Sequence, residues 1–569
     1  MRRAVCVGVF ALAARLLHAQ APAGLVPCRG QRIDSIAITT EAPTVTGLRR
    51  VPVVGDVVRE AHVVTRPDVV RRFLLLRVGD RCRELRRAES ERILRAQTFI
   101  ADASIDVYTN RRGGVDLDVH TIDESSIILS GAISGSAPIV QGVRVGSANL
   151  AGMGVATSVA WHREPYFDDR LELRVTDYQF AGKPYVLNAM SLRDPLGRDD
   201  RAEVTLPFRS DVQHLAWRAL IGENRSHAGF TVRDSGQLAL GVGRDFLEVG
   251  GIGRLGPPGK LSLFGLSFSN ERAWPDSVPV IITDVGFRDD TAAGFAGRFM
   301  ETRASRVNAL VGVRGIRFMR ARGFDALRAV QDVPLGLQLG TVVGRGVRAL
   351  HANSNDVFIA TDLYLAFGTP RLTYRLQMQG EGRRPMGSKQ WDGLIGSGRI
   401  ARYSRPSDAH TRILSMEWSG TSRVLTPHSL SLGVADGGIR GLRNADAVGG
   451  RRLVGRWDEQ FYLGSPFSFG DLGVAAFVDG GQLWAGDLPY GETTPVSGGG
   501  GVSLLLAAPM RSSRMWRLDL AAPFSPVRGA GSWEVRLSHT DRTSFFWREP
   551  RDIDLARARV VPASVYNWP

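Results

Sequence analysis

From about Leu171 to the C-terminus, the 569-residue chain repeats one pattern: short alternating segments ended by Gly, Pro or charge-rich turns. Leu171-Glu172-Leu173-Arg174-Val175-Thr176, Tyr374-Arg375-Leu376-Gln377-Met378-Gln379 and Trp533-Glu534-Val535-Arg536-Leu537-Ser538 are examples. A strand sends successive side chains to opposite faces, so each segment has one apolar and one polar face. Many of the polar positions are full charges, and no long apolar helix accompanies them. A closed barrel with lipid outside and a polar lumen inside explains this. A large soluble β-structure explains it less economically.

The N-terminus decides between the two. Residues 1–21 read as a secretory signal: Arg2 and Arg3 are the positive start, Ala4 to Leu17 the apolar stretch, and Ala19-Gln20-Ala21 the small-residue cleavage site. Cleavage after Ala19 is the alternative. No other segment reaches the roughly 18 apolar residues a membrane helix needs. An exported chain with many amphipathic strands and no second anchor belongs in a Gram-negative outer membrane. Composition agrees: 43% hydrophobic residues and a mean hydropathy of −0.08 are far from a helical membrane protein. The formal charge of +15 becomes +12 when Arg2, Arg3 and Arg15 leave with the signal. That surplus suits solvated loops and a polar lumen, or acidic lipid head groups.

Cys6 leaves with the signal, so Cys28 and Cys82 remain. In the oxidising periplasm two cysteines of one small domain form a candidate disulfide, with two free thiols as the alternative. Pro27 makes Leu25 to Cys28 a poor lipidation site.

Residues 22–124 differ from the rest. Arg32 to Thr39 forms a strand, and Thr65-Arg66-Pro67-Asp68 opens a helix that Thr65 or Asp68 is placed to cap. Gly79-Asp80 breaks it, a second helix covers Arg83 to Thr98, and strands follow over 103–109 and 114–122. The order is β-α-α-β-β. With the stretches "TRPDVVRRFLLLRVGD", "ERILRAQTFIADASIDV" and "GVDLDVHTIDE", it resembles a POTRA (polypeptide-transport-associated) domain. The resemblance implies a periplasmic module that meets client chains, chaperones or accessory proteins, often by adding an edge strand. Arginines 71, 72, 81, 83, 86 and 87 crowd its helices; a solvated face is the default reading, and contact with lipid head groups near the barrel mouth is the alternative.

The C-terminal third carries a second resemblance. Gly438-Ile439-Arg440-Gly441-Leu442 lies in a polar loop. It is followed by Arg452 to Asp458, by Val474 to Gly481 with Phe477, Asp479 and Gly480, and by three further alternating segments at 498–506, 514–520 and 532–540. This succession resembles the outer-membrane assembly-factor superfamily typified by BamA and TamA, the bacterial surface antigen type of barrel. There a loop with a Val/Ile-Arg-Gly-aromatic tip folds back into the lumen and five strands follow it; Leu442 stands here where the family carries Phe or Tyr. The resemblance implies a transmembrane antiparallel barrel of sixteen strands over residues 125–548. One small α+β domain precedes it, and a tail follows at 549–569. The glycine-rich stretch Gly142 to Glu164 resembles the first hairpin, which places the seam between about 142–150 and 532–540. Asn270 to Arg303 is the candidate long extracellular loop.

Alternation points Phe477, Asp479 and Asp458 into the lumen and Val474, Val478 and Trp457 outward. A guanidinium in a lumen needs carboxylates, and its planar fork suits a bidentate contact. Arg440 is therefore expected to bond Asp479 first, Asp458 second, and Glu459 as a fallback.

Enzyme signatures are weak. Gly251-Ile252-Gly253-Arg254-Leu255-Gly256 matches a dinucleotide fingerprint as a string, but Pro257-Pro258 cannot open the helix that would hold a pyrophosphate, so it reads as a turn. No Gly-x-Ser-x-Gly occurs, and the ten histidines show no metal spacing. The expectation is a non-enzymatic factor with no cofactor, metal or nucleic acid. It would insert or export client barrel or secreted polypeptides in contact with outer-membrane lipids. The rival readings are a secretion pore for one partner polypeptide and a passive porin or structural barrel.

Overall fold

A computed structural model describes residues 24–42, 63–135, 139–164, 168–233, 236–283, 285–350, 352–353, 355–434, 437–466, 470–540 and 547–557. The signal segment, Cys6 included, lies outside the described residues.

The N-terminal domain contains β1 (Arg29–Glu41), α1 (Pro67–Phe73), β2 (Arg81–Arg83), α2 (Glu84–Arg95), β3 (Ile100–Thr109) and β4 (Val115–Asp123). Its sheet runs β2-β1-β4-β3, with β1 parallel to β4. Val69, Val70 and Phe73 of α1 and Ile93 and Leu94 of α2 are buried against Ile33, Ile105, Leu117 and Val119 of the sheet. The short β2 between the helices adds a strand to the β-α-α-β-β order. Thr65 does not cap α1: Arg66 holds the cap position, Pro67 removes one amide donor, and the Thr65 amide donates instead to Asp123 (2.6 Å). Cys28 and Cys82 form a disulfide across 4.9 Å between Cα atoms.

The rest is a wall of antiparallel strands. It begins with β5 (Ile127–Ser134), β6 (Val140–Ser147), β7 (Val155–Glu164), β8 (Asp168–Phe180), β9 (Tyr185–Asp194) and β10 (Gly197–Leu206). The strands then lengthen: β11 (Leu215–Arg233), β12 (Gly236–Leu255) and β13 (Leu261–Pro275). A small hairpin of β14 (Val280–Thr283) and β15 (Gly286–Asp289) extends the far end, while β13 pairs directly with β16 (Thr302–Arg322). Next come β17 (Val330–Gly346), β18 (Asp356–Gly368), β19 (Leu372–Pro385), β20 (Asp392–Ser407) and β21 (His410–Ser422). A long inner loop carries the two-residue pair β22 (Leu430–Ser431) and β23 (Val448–Gly449). The wall ends with β24 (Arg451–Gly464), β25 (Asp471–Trp484), β26 (Ser497–Ala507), β27 (Met515–Pro523) and β28 (Glu534–Thr540), which closes on β5.

The closed wall therefore has twenty strands, not sixteen. Fifteen precede the inner loop where eleven were expected. The four alternating segments beyond the expected count are paired along both edges and belong to the wall. Alternation is the same for a wall strand and a loop hairpin, so only pairing separates them. The first wall strand is β5, one strand before the glycine-rich hairpin, and the seam joins 127–134 to 534–540. Gly251 to Leu255, read as a turn, are the end of β12; the turn begins at Gly256, whose φ of +115° suits glycine.

Side chains sort by face. Val311, Val313, Leu337, Leu339, Val474, Val478, Val502, Leu504, Leu518 and Leu520 are large, apolar and exposed on the outside. Arg314, Gln338, Asp479, Ser503 and Asp519 on the same strands are buried inside. An apolar belt of this extent is what lipid contact requires and what a soluble barrel avoids, so the fold is that of an outer-membrane barrel. No described helix is long and apolar enough to cross a membrane.

The small domain docks on one end of the barrel through polar contacts. Arg95 reaches Asp332 with two bonds of 3.0 Å, Arg320 reaches Glu91 (2.7 Å), and Ser210 donates to Glu89 (2.6 Å). Thr65 accepts from Asn149 of the β6–β7 turn (2.7 Å), while Glu124 accepts from Ser512 and Ser513 of the β26–β27 turn. The domain thus spans the seam from β6 to β27.

Candidate functional site in the barrel lumen

The inner loop leaves the far end after Ser422, enters the lumen and returns at Arg451. Ile439 and Leu442 are buried with Leu430, Leu432, Val424, Ile395 and Val454, an apolar knot inside a polar barrel. That packing fixes the turn between them, where Gly441 at φ +90° brings the backbone within about one atom's width of Ala522 on β27. Leu442, in the place of an aromatic residue, is fully buried in this knot.

The knot aims Arg440 at the wall. Its Nε donates to Asp479 Oδ2 (2.7 Å) and its Nη2 to Asp479 Oδ1 (2.7 Å), a fork-on-fork pair. Nη1 and Nη2 also reach Asp458 at 3.3 and 3.0 Å, and the Arg440 amide donates to Asp479 Oδ2 (3.1 Å). The guanidinium carbon stands 3.7 Å from the ring centre of Phe477, so one flat face is covered by an aromatic ring. Glu459 is not part of this group. It points to the outer face and accepts from Arg412 (2.5 Å), His410 and Trp457 (2.9 Å). One residue of offset from Asp458 reverses the face. Gly480 likewise lies on the outward side of β25, opposite Gly455 and Gly498.

Several members of the site carry no motif. Arg517 bridges Asp458 and Asp519, each at 2.6 Å, and Arg536 stands 3.7 Å from Asp519, so three guanidinium groups meet the three aspartates. Arg456 donates to the Gly438 carbonyl (2.8 Å) and pairs with Glu417 (2.6 Å). Glu534, on the seam strand β28, accepts from the Gly441 amide (3.0 Å). Gly499 faces inward where a Cβ would run into the Arg440 carbonyl, so the loop lies against bare backbone. The signal for these was alternation: Arg517, Asp519 and Glu534 occupy inward positions of the last two segments, and the run Gly498 to Gly501 leaves the opposite face empty.

The arrangement is an electrostatic clamp, holding a loop against the last strands of the wall and reaching the seam through Glu534. Among the described residues no group of three or more His, Cys, Asp or Glu has the arrangement to hold a metal ion.

The chain matches no protein-family profile and no curated protein. It is similar in fold to CdiB from Escherichia coli, at 12% identity over 90% of this chain and 77% of that one with a TM-score of 0.44. CdiB from Acinetobacter baumannii matches at 11% identity over 90% and 74%, with a TM-score of 0.40. A crystal structure of BamA from Haemophilus ducreyi lacking POTRA domains 1–3 matches at 11% over 90% and 85%, with a TM-score of 0.39.

Proposed function

We propose that this protein is an outer-membrane factor that inserts or exports client polypeptides without nucleotide or cofactor. On this reading the N-terminal domain lies in the periplasm as a POTRA-like module, and the inner loop descends from the extracellular end. One observation carries the proposal: among the described residues β28 and β5 share four registered pairs, Glu534–Ser134 to Leu537–Gly131, with one further bond from the Gly135 amide to the Trp533 carbonyl, in a wall where β11 and β12 share eighteen. A backbone group entering lipid must already be paired, and a short seam is where a client strand finds free partners at least cost. The clamp on Arg440 and the bond from the Gly441 amide to Glu534 hold the loop against that seam strand.

The test is a lock across the seam. Ile133 and Val535 are register partners, so Ile133→Cys with Val535→Cys in a background lacking Cys28 and Cys82 suits a disulfide. Assembly of a newly made barrel client, lost on oxidation and restored by reductant, supports insertion through the seam. Assembly indifferent to the lock, with export of a soluble polypeptide lost in Arg440→Ala, supports passage through the lumen. Indifference to both leaves a passive barrel and sinks the proposal.

A further inference from the structure

The last described wall strand ends at Thr540, and a further described segment follows it in the chain. Residues 547–557 lie inside the barrel, with α3 (Arg551–Ala556) among them. Nothing in the wall requires this segment, and its contacts are specific.

The Trp547 amide donates to Gln377 (2.6 Å), an inward residue of β19. Arg557, 2% exposed, donates to Glu381 Oε2 (3.2 Å) on β19 and to Ser397 Oγ (3.0 Å) on β20, and pairs with Glu549. The Glu381 side chain is 0% exposed. Asp552 accepts both guanidinium ends of Arg452 on β24 (2.5 and 3.1 Å), and Arg452 also donates to the Ser431 carbonyl of the inner loop (2.6 Å). Between these polar ends, Ile553 and Ala556 are buried in the same apolar knot as Ile439 and Leu442. Pro550 packs on Gly437, where no side chain would fit.

The segment therefore fills lumen that the inner loop leaves free, and it packs on that loop at Ser431, Gly437 and the apolar knot. We infer that residues 547–557 are an autoinhibitory plug, which closes the lumen and holds the inner loop on the wall until it is displaced. The chemistry suits reversal. Ion pairs in a polar lumen are exchanged for water when the segment leaves, whereas an all-apolar plug would have to expose its whole surface. The apolar contribution is confined to Ile553 and Ala556 and their few neighbours. This inference concerns access to the lumen and holds whether clients are inserted at the seam or exported.

Single-channel conductance in planar bilayers reads it. The full chain is compared with a chain ending at Arg548 and with a full-length Ile553→Asp variant, each confirmed as a closed barrel by its gel mobility before and after heating. Both should show a several-fold rise in conductance. A synthetic peptide of residues 547–569, added to the truncated barrel, should lower it again, and the same peptide with Arg557→Glu should not. Equal conductance in the full chain and a folded Ile553→Asp variant overturns the inference. So does a truncated barrel whose raised conductance the peptide leaves untouched, because a segment that only stiffens the wall during folding would not re-block in trans.

Discussion

Strands β11 and β12 share eighteen registered pairs and β16 and β17 seventeen, whereas β28 and β5 share four among the described residues. The long side of the wall holds itself by backbone pairing, and its lumen is braced by local charges such as Arg218 between Glu203 (2.5 Å) and Glu248 (3.0 Å). The seam side is short of backbone bonds, and there side chains take over. Arg514 donates to the carbonyls of Ser125 (2.5 Å) and Ile127 (3.2 Å), the small domain joins the turns on both flanks, and the inner loop bonds Glu534. Backbone pairing is continuous and hard to interrupt in lipid, while side-chain clamps can be released one at a time. On the proposed function, the seam side is the part of the barrel that would open.

The largest expected effect comes from Arg440→Ala, which leaves Asp479 buried without its guanidinium partner and Asp458 with Arg517 alone. Removing one partner of a buried pair costs about 3–5 kcal/mol. The inner loop should become sensitive to added protease in detergent. Arg218→Ala is the control on the long side: similar lost stability with the loop still protected. Equal protease sensitivity in both would erase the distinction.

Hydrogen exchange tests the pairing directly. Amides of β5 and β28 should open on the order of a hundredfold faster than those of β11 and β12, about 3 kcal/mol of local stability. Uniform exchange around the wall would contradict a weak seam.

The domain latch gives a pH signature. Burial raises the Asp123 carboxyl from 3.8 to about 6, against the opposing bond from the Thr65 amide and with a smaller contribution from neighbouring Glu124. A carboxyl raised in the folded state favours folding below its unfolded value. That contribution is lost as pH rises from about 4 through about 6, worth about 2–3 kcal/mol by the size of the shift. Melting followed from pH 4 to 7 should show this decline, and Asp123→Asn should flatten it. An unchanged slope in the variant would assign the pH dependence elsewhere.

The smallest effect is expected from Glu534→Gln, which keeps an acceptor for Gly441 but removes its charge, about 1 kcal/mol. Faster exchange confined to β28 would tie the loop to the seam. No change in β28 would mean the bond does not restrain it.

Much of the strand pattern was legible because alternation is local: each segment shows which face is apolar without knowing its neighbour. The five segments after the inner loop, from 452–458 to 532–540, coincide with β24 to β28 for this reason, and so does the inward direction of Asp458 and Asp479. Strand number was not legible. A segment such as Tyr374 to Gln379 looks the same whether it pairs on one edge or two, and the count of sixteen came from resemblance. Glu459 shows the limit at a single residue, since a carboxylate adjacent to the right one in sequence is on the opposite face.

By itself, then, the sequence determined the amphipathic strands, the small α+β domain ahead of them and the residue types a luminal arginine would need. Tertiary structure alone decided that the wall closes with twenty strands, that β5 and β28 meet through four pairs, and that residues 547–557 turn back into the lumen. The physical reason is range. Alternation and helix signals act over a few residues, whereas closure, seam length and the berth of Arg557 between Glu381 and Glu549 depend on which distant segments find each other in space.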